Sequence, residues 1–233
     1  MRPLSPGTSG VFVTGTGTEV GKTVVAAVIA RTLAKEGKRV GVFKPAVTGL
    51  DETGEPDHTL LRLAAGSDQS DEEVAPYRYG PPMSPHLAAS LADEEIQAER
   101  LLTAARAATE GVDAIVCEGV GGLLVPLAPT YSVRDLAVDL ALPMVLAAPP
   151  GLGTINHTLL TLAAARTAGL EVAAVVLTPW PEEPTPIERS NRETIGTLGE
   201  VPVETLPPLD LANPDAWPAL QVAPVRLILP RNE

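Results

Sequence analysis

Val13-Thr14-Gly15-Thr16-Gly17-Thr18-Glu19-Val20-Gly21-Lys22-Thr23 is the stretch on which the fold turns. Ahead of it, Val11 to Thr14 reads as a short buried strand. Behind it, Val24, Val25, Val28, Ile29 and Leu33 recur at helical spacing, so 22–36 reads as a helix with Gly37 just past its end. A strand, a glycine-rich turn and a helix opening on Gly-Lys-Thr together make a phosphate-binding loop. The glycines let several N–H groups face one anion, and the helix N-terminus adds the positive end of its dipole. Lys22 is placed to reach phosphate oxygens, and the Thr23 hydroxyl to ligate Mg²⁺. The spacing is a variant one. The standard pattern has glycine at position 16, where this chain carries Thr16 between Gly15 and Gly17.

Outward from the loop, strand-like and helix-like segments alternate. Strands are expected at 40–43, 114–117, 144–148, 172–177 and 201–203. Helices are expected at 57–65, 92–109, 133–140, 155–168 and 187–198. Such alternation implies right-handed βαβ units in an α/β, doubly wound, mostly parallel sheet with helices on both faces, the P-loop NTPase fold. No linker long enough to separate a pair of domains is apparent, so 1–233 reads as one domain. The acidic run 68–73 reads as a solvated turn. The Pro-rich tail from Pro207 carries one apolar run, 225–229, to which the pattern assigns no role.

With 45% hydrophobic residues but only 3% aromatic, the core has to be built from Val, Leu, Ile and Ala, as suits a buried parallel sheet. The net charge of -12 argues against nucleic acid and anionic membranes as partners. A single cysteine, Cys117, excludes an internal disulfide and a four-cysteine zinc site, and it reads as a small buried strand residue. The first ten residues lack the apolar core of a signal peptide, and no membrane-length apolar run follows. The cytoplasm is the expected compartment.

Three further residues attract attention. Lys44 follows a strand, at the sheet edge where ligands bind in open α/β folds. Glu118 stands at the end of Ala-Ile-Val-Cys and before Gly119-Val120-Gly121-Gly122, well placed for a magnesium-binding acid. Asp57 reads locally as a helix N-cap and alternatively as a second magnesium carboxylate. Thr23, Asp57 and Glu118 would form an oxygen-only shell of the kind Mg²⁺ accepts. His86, in Ser-Pro-His, reads as a loop-ordering residue, and His157 as making a helix-start hydrogen bond.

The run 13–23 is very similar to the opening motif of the dethiobiotin synthetase family. Phe-Lys-Pro-Ala-Val-Thr-Gly at 43–49, Met-Ser-Pro-His-Leu-Ala-Ala at 83–89, Glu-Gly-Val-Gly-Gly at 118–122 and Gly-Leu-Gly-Thr-Ile-Asn-His at 151–157 continue the match in order. The resemblance implies an ATP-dependent ligase that adds CO₂ to 7,8-diaminononanoate and closes a ureido ring, in the penultimate step of biotin synthesis. It implies Lys44 and Lys22 as catalytic residues. It places ATP on Glu19, Val20, Gly21, Lys22, Thr23, Val24, Asp57, Glu118, Gly119, Val120 and Gly121. The base would lie toward Thr178, Pro179, Pro202, Val203 and Glu204. Substrate would meet Thr48, Gly121, Leu152, Gly153, Thr154 and Asn156, and Mg²⁺ would meet Thr23, Asp57 and Glu118. The family acts as a homodimer with substrate at the subunit interface.

This chain departs from the family pattern in three places, one of them Pro202-Val203-Glu204, which matches the second base-contacting loop only loosely. Gly151 stands where a basic residue is common, and Thr178-Pro179 replaces an Asn-Asp pair that reads adenine, which leaves other nucleoside triphosphates open as co-substrates. Two other function classes share the loop. A partition-type ATPase switch would need a basic DNA face or a membrane helix. A corrinoid amidotransferase-like synthetase would add a glutaminase domain with a nucleophilic cysteine.

Overall fold

The computed structural model describes Leu4, residues 9–52 and 55–220, and the backbone of 226–227. In chain order its elements are β1 (Ser9–Gly15), α1 (Lys22–Lys35), β2 (Val40–Phe43), α2 (Asp57–Ala65), α3 (Asp71–Val74), α4 (Pro85–Leu91), α5 (Ala98–Ala107) and β3 (Ala114–Gly122). They continue with β4 (Pro126–Ala128), β5 (Tyr131–Ser132), α6 (Val133–Leu140), β6 (Met144–Ala148), α7 (Thr154–Thr167), β7 (Val172–Leu177), α8 (Pro186–Gly199), β8 (Val203–Thr205) and β9 (Arg226–Leu227).

The main sheet runs β2-β3-β1-β6-β7-β8, and every neighbouring pair in that path is parallel. The chain moves from β1 to one side for β2 and β3, then crosses to the other side for β6, β7 and β8. The carboxyl ends flanking β1 therefore open a crevice at a switch in strand order. This is the doubly wound α/β fold anticipated from the phosphate loop. β9 adds an antiparallel rung on Ser9 and Gly10, below the point where β6 begins pairing at Phe12.

Both faces of the sheet are covered. Val11, Val13, Val42, Val116 and Val145 pack against α1 and α2. Their alternates Phe12, Phe43, Ile115, Cys117 and Met144 pack on the opposite face, with α4, α5 and α6. Period-two alternation between two apolar layers is why these strands read as continuous hydrophobic runs. Burial pushes the Cys117 thiol up, away from the reactive thiolate.

Several expectations need correction. The helix expected at 92–109 begins only at Ala98, and a separate helix α4 precedes it. Asp93 takes a left-handed φ of 50° and Glu94 N–H turns back to Ala89 O, so the first helix ends there despite helix-forming composition. Acidic 68–73 is not a plain turn: Asp71–Val74 is a short helix closed by a Ser70–Glu73 capping box. The last parallel strand lies at 203–205 rather than 201–203. His86 sits exposed in the first turn of α4, not in a loop. The β4–β5 hairpin carries too few residues to show a period.

The tail has a structural role. Trp217 and Leu220 are buried against α1 in the same core layer as Val28 and Leu33. Arg31 pairs with Asp215, Lys35 donates to the Asp215 carbonyl, and Leu220 N–H donates to Thr32 Oγ1. Of the apolar run 225–229, the backbone of Arg226–Leu227 forms β9, and the rest lies outside the described residues.

Candidate active site

The phosphate loop owes its shape to two glycines. Gly21 caps α1 with a left-handed φ of 85°, and a Cβ there would stand 2.5 Å from Thr178 Cγ2. A Cβ on Gly15 would stand 2.5 Å from Val20 Cγ2 and 2.9 Å from Lys22 Cγ. A side chain at either position would force the loop open. α1 has no side-chain cap, so the N–H groups of its first turn are left for an anion. Lys22 folds back over the loop and donates to Gly17 O at 2.7 Å. Burial lowers its pKa, with Glu118 pulling the other way.

Two strands and the start of a helix deliver the rest: β3 carries Glu118, β2 leads into Lys44, and α2 opens on Asp57. Glu118, in β3, is fully buried, and its Oε1 accepts from Thr23 Oγ1 at 2.9 Å and from Lys44 Nζ at 2.5 Å. Lys44, immediately after β2, is 3% exposed and also meets Asp57 Oδ2 at 2.9 Å. Burial works against the Lys44 charge, but Glu118 and Asp57 more than offset it and raise the pKa, so the ammonium stays charged. For Asp57 burial likewise opposes ionisation, and the Lys44 charge overcomes it and lowers the pKa. Burial pushes Glu118 up, while Lys44 and the Thr23 hydroxyl favour its charged form. The result is a network beside the loop in which buried Lys44 and Glu118 are joined to partly exposed Thr23 and Asp57. Asp57 is not an N-cap, because Pro56 holds that position and the carboxylate turns to Lys44 instead.

The donor set suits a hard divalent cation. Glu118 Oε2 is buried without a hydrogen-bond partner, an arrangement that normally demands one. Among the described residues no group of three or more His, Cys, Asp or Glu forms a metal cluster. Two carboxylates and one hydroxyl nevertheless match Mg²⁺, which fills its remaining shell with water and phosphate oxygens.

Comparison with known proteins gives this site a family. Residues 9–213 match the model described as AAA domain. A curated relative from Rhodococcus erythropolis, named ATP-dependent dethiobiotin synthetase BioD, is 39% identical over 93% of this chain and 98% of its own length. Proteins of the same name from Bacillus subtilis (36%, covering 88% of each chain) and Anaeromyxobacter dehalogenans (42%, covering 81% of this chain and 85% of its own) agree.

The chain belongs to the dethiobiotin synthetase family.

Of the other residues expected of a dethiobiotin synthetase, those following β1, β2, β6 and β7 and those in the β3 bulge fall at the same carboxyl edge, whereas Pro202 and Val203 lie at the amino end of β8, level with the middle of β7. Glu19, Val20 and Val24 flank the loop glycine and lysine. Gly119 to Gly121 form a bulge in β3, where pairing jumps from Val13–Glu118 to Gly15–Gly122. Thr178, directly after β7, is buried against Gly21, and Pro179 follows it. Pro202 precedes β8, while Val203 and Glu204 lie in it at the sheet's edge. Thr48 lies half-buried in the segment after β2. Leu152, Gly153, Thr154 and Asn156 open α7, where Thr154 is buried, Asn156 exposed and Leu152 96% exposed. The His157 backbone N–H donates to Gly153 O at 3.3 Å, the ordinary first-turn helix bond that any residue there would make.

Two residues escaped the sequence reading. Thr18 Oγ1 lies 3.6 Å from the point where a Cβ on Gly121 would stand, so its hydroxyl borders the bulge. Its place inside the quoted loop was the available signal. Gln69 hydrogen-bonds β2 through its side chain, and nothing in its local sequence announces that.

Proposed function

We propose that this chain catalyses the ATP-dependent carboxylation and ring closure of 7,8-diaminononanoate to dethiobiotin. CO₂ adds to the 7-amino nitrogen as a carbamate. The γ-phosphoryl group of ATP passes to a carbamate oxygen, and ADP leaves. The 8-amino nitrogen then attacks the carbamoyl carbon, the carbon–oxygen bond to phosphate breaks, and inorganic phosphate and a proton depart. The observation that carries this reading is the buried, charged Lys44 joined to Glu118 beside the phosphate loop of a dethiobiotin synthetase family member.

Phosphoryl transfer of this kind needs positioning and charge neutralisation more than covalent help. Lys22 and the α1 N–H groups hold the phosphates. Lys44 is already desolvated and charged, so it meets growing negative charge on the carbamate and γ-phosphate without reorganisation. Thr23, Asp57 and Glu118 would hold Mg²⁺, whose charge would neutralise phosphate oxygens when bound. Thr48 and the backbone at Gly121 contact substrate in this reading.

The opening turn of α7, Leu152 to Asn156, takes the substrate's carboxylate tail from across a homodimer interface. Leu152, just before α7, and Leu160 on it, both largely exposed, support a second copy of the chain there. Thr178, Pro179, Pro202, Val203 and Glu204 border the base, and without a carboxamide or carboxylate at 178–179 CTP and GTP also serve. We place the enzyme in the cytoplasm, one domain over 1–233, acting on small molecules rather than nucleic acid or membrane. Among the described residues no helix is long and apolar enough to cross a membrane.

Phosphate release that depends on the diamine, bicarbonate and Mg²⁺, run in parallel with ATP, CTP and GTP, tests this. Release that ignores the diamine would refute the assignment.

A further inference from the structure

We infer that Gln69 is a positioning residue for Lys44, although it touches neither Lys44 nor the phosphate loop. The inference rests on the reading of Lys44 as the residue that meets the carbamate and γ-phosphate. Among the described residues β2 is the edge strand, paired with β3 alone. Its free side would leave Val42, 0% exposed, with a buried N–H and C=O lacking partners. The Gln69 side chain supplies both. Its Oε1 accepts from Val42 N–H at 2.8 Å, and its Nε2 donates to Val42 O at 3.0 Å. The Ser67 hydroxyl donates to the same Oε1 at 3.0 Å, which fixes the orientation of the carboxamide.

The next rung on that side is at Lys44 itself, whose N–H donates to Val74 O at 2.8 Å. Residues 42 and 44 share one edge of the strand because strand geometry repeats every two residues. Gln69 and Val74 thus act as two successive rungs of a missing strand, and together they set where the main chain of Lys44 lies. From there the Lys44 side chain has to reach Glu118 Oε1 and Asp57 Oδ2 at once. A shift at Val42 is carried straight to that ammonium, and small misplacements of a catalytic group cost large factors in rate.

The test uses Gln69→Met, which keeps the side-chain length but removes both hydrogen bonds. Gln69→Glu, which loses only the donor, serves as the second variant should Gln69→Met fail to fold by circular dichroism. Each is compared with the unaltered protein by limited acetylation of lysines and peptide mass spectrometry, which needs no turnover. The expected result is acetylation of Lys44 faster by at least about fivefold with Lys22 unchanged. In kinetics, kcat for diamine-dependent phosphate release falls about tenfold while KM for ATP stays within about twofold. Unchanged Lys44 labelling, or Lys22 and Lys44 rising together, would overturn the inference, since the second is general loosening. Should the unaltered enzyme show no diamine-dependent release, the proposed function fails while the labelling result still decides the role of Gln69 in placing Lys44.

Discussion

Lys44 Nζ and Thr23 Oγ1 converge on a single oxygen, Oε1 of Glu118, at 2.5 and 2.9 Å. One carboxylate atom therefore ties the end of β2 to the start of α1 through the middle of β3. The other oxygen of that carboxylate is left without a partner. Lys44 and Glu118 are both almost completely buried, so removing Lys44 leaves the Glu118 carboxylate without its ion-pair partner, whereas Lys44 keeps Asp57 if Glu118 is altered.

Lys44→Ala is expected to reduce diamine-dependent phosphate release at least about 100-fold, by removing a preorganised charge. It also strands Glu118, at a cost of about 3–5 kcal/mol in stability. Urea denaturation at neutral pH measures the second effect and a coupled phosphate assay the first. Wild-type turnover in the variant would remove Lys44 from the chemistry.

Glu118→Gln keeps the shape and an acceptor for Thr23 but loses the negative charge. The half-saturating Mg²⁺ concentration should rise about tenfold or more, as expected when one carboxylate leaves an oxygen-only shell. A magnesium titration at fixed ATP reads this directly. An unshifted midpoint would place the cation elsewhere.

Gly21→Ala puts a methyl group into Thr178 Cγ2 at a residue with φ of 85°. The expected stability loss is about 1–3 kcal/mol from backbone strain, with nucleotide affinity weakened about tenfold or more. Calorimetric titration with ATP and a thermal melt check both numbers.

Arg39 and Asp113 join the starts of β2 and β3 through three hydrogen bonds. Side-chain and then backbone hydrogen bonds from Arg39 hold Asp113 at about 2, below its ordinary 3.8. A depressed carboxylate binds fewer protons folded than unfolded, so its stabilisation is full above the ordinary value and is lost as pH falls through about 2. Asp113→Asn should flatten the melting-temperature profile across that window and lower it only above it. Parallel profiles for the two proteins would contradict this.

Trp217→Ala removes the largest side chain that the tail places on α1. A loss of about 3–5 kcal/mol is expected, as for other buried aromatic truncations. Far-ultraviolet circular dichroism in denaturant measures it, and a loss under about 1 kcal/mol would mean the tail is dispensable to this core layer.

The phosphate loop, its flanking elements and the doubly wound sheet were legible because each rests on local periodicity and turn chemistry. β2, α2, α6, β6 and β7 matched their expected bounds for the same reason. The 85–107 stretch was not legible as two helices, because Ala, Leu and Glu favour helix throughout and only the turn at Asp93 separates them. Lys44, Glu118 and Thr23 could be nominated from sequence, but their shared oxygen could not, since 74 residues separate Lys44 from Glu118. Asp57 was read locally as a cap because a neighbour as distant as Lys44 is invisible in a short window. Gln69 and the tail act through contacts between distant segments and left no periodic trace.

The chain has only two tryptophans, and the fold gives them different assignments. Trp217 is packed on α1, whose other end forms the phosphate loop. Trp180 follows Pro179 beyond the end of β7, half-buried, with the Arg192 guanidinium 5.9 Å from its ring centroid. The molecule thus carries a built-in pair of optical reporters. Single Trp→Phe replacements would separate movement of the loop helix from events beyond the carboxyl end of β7, in unlabelled protein and in real time.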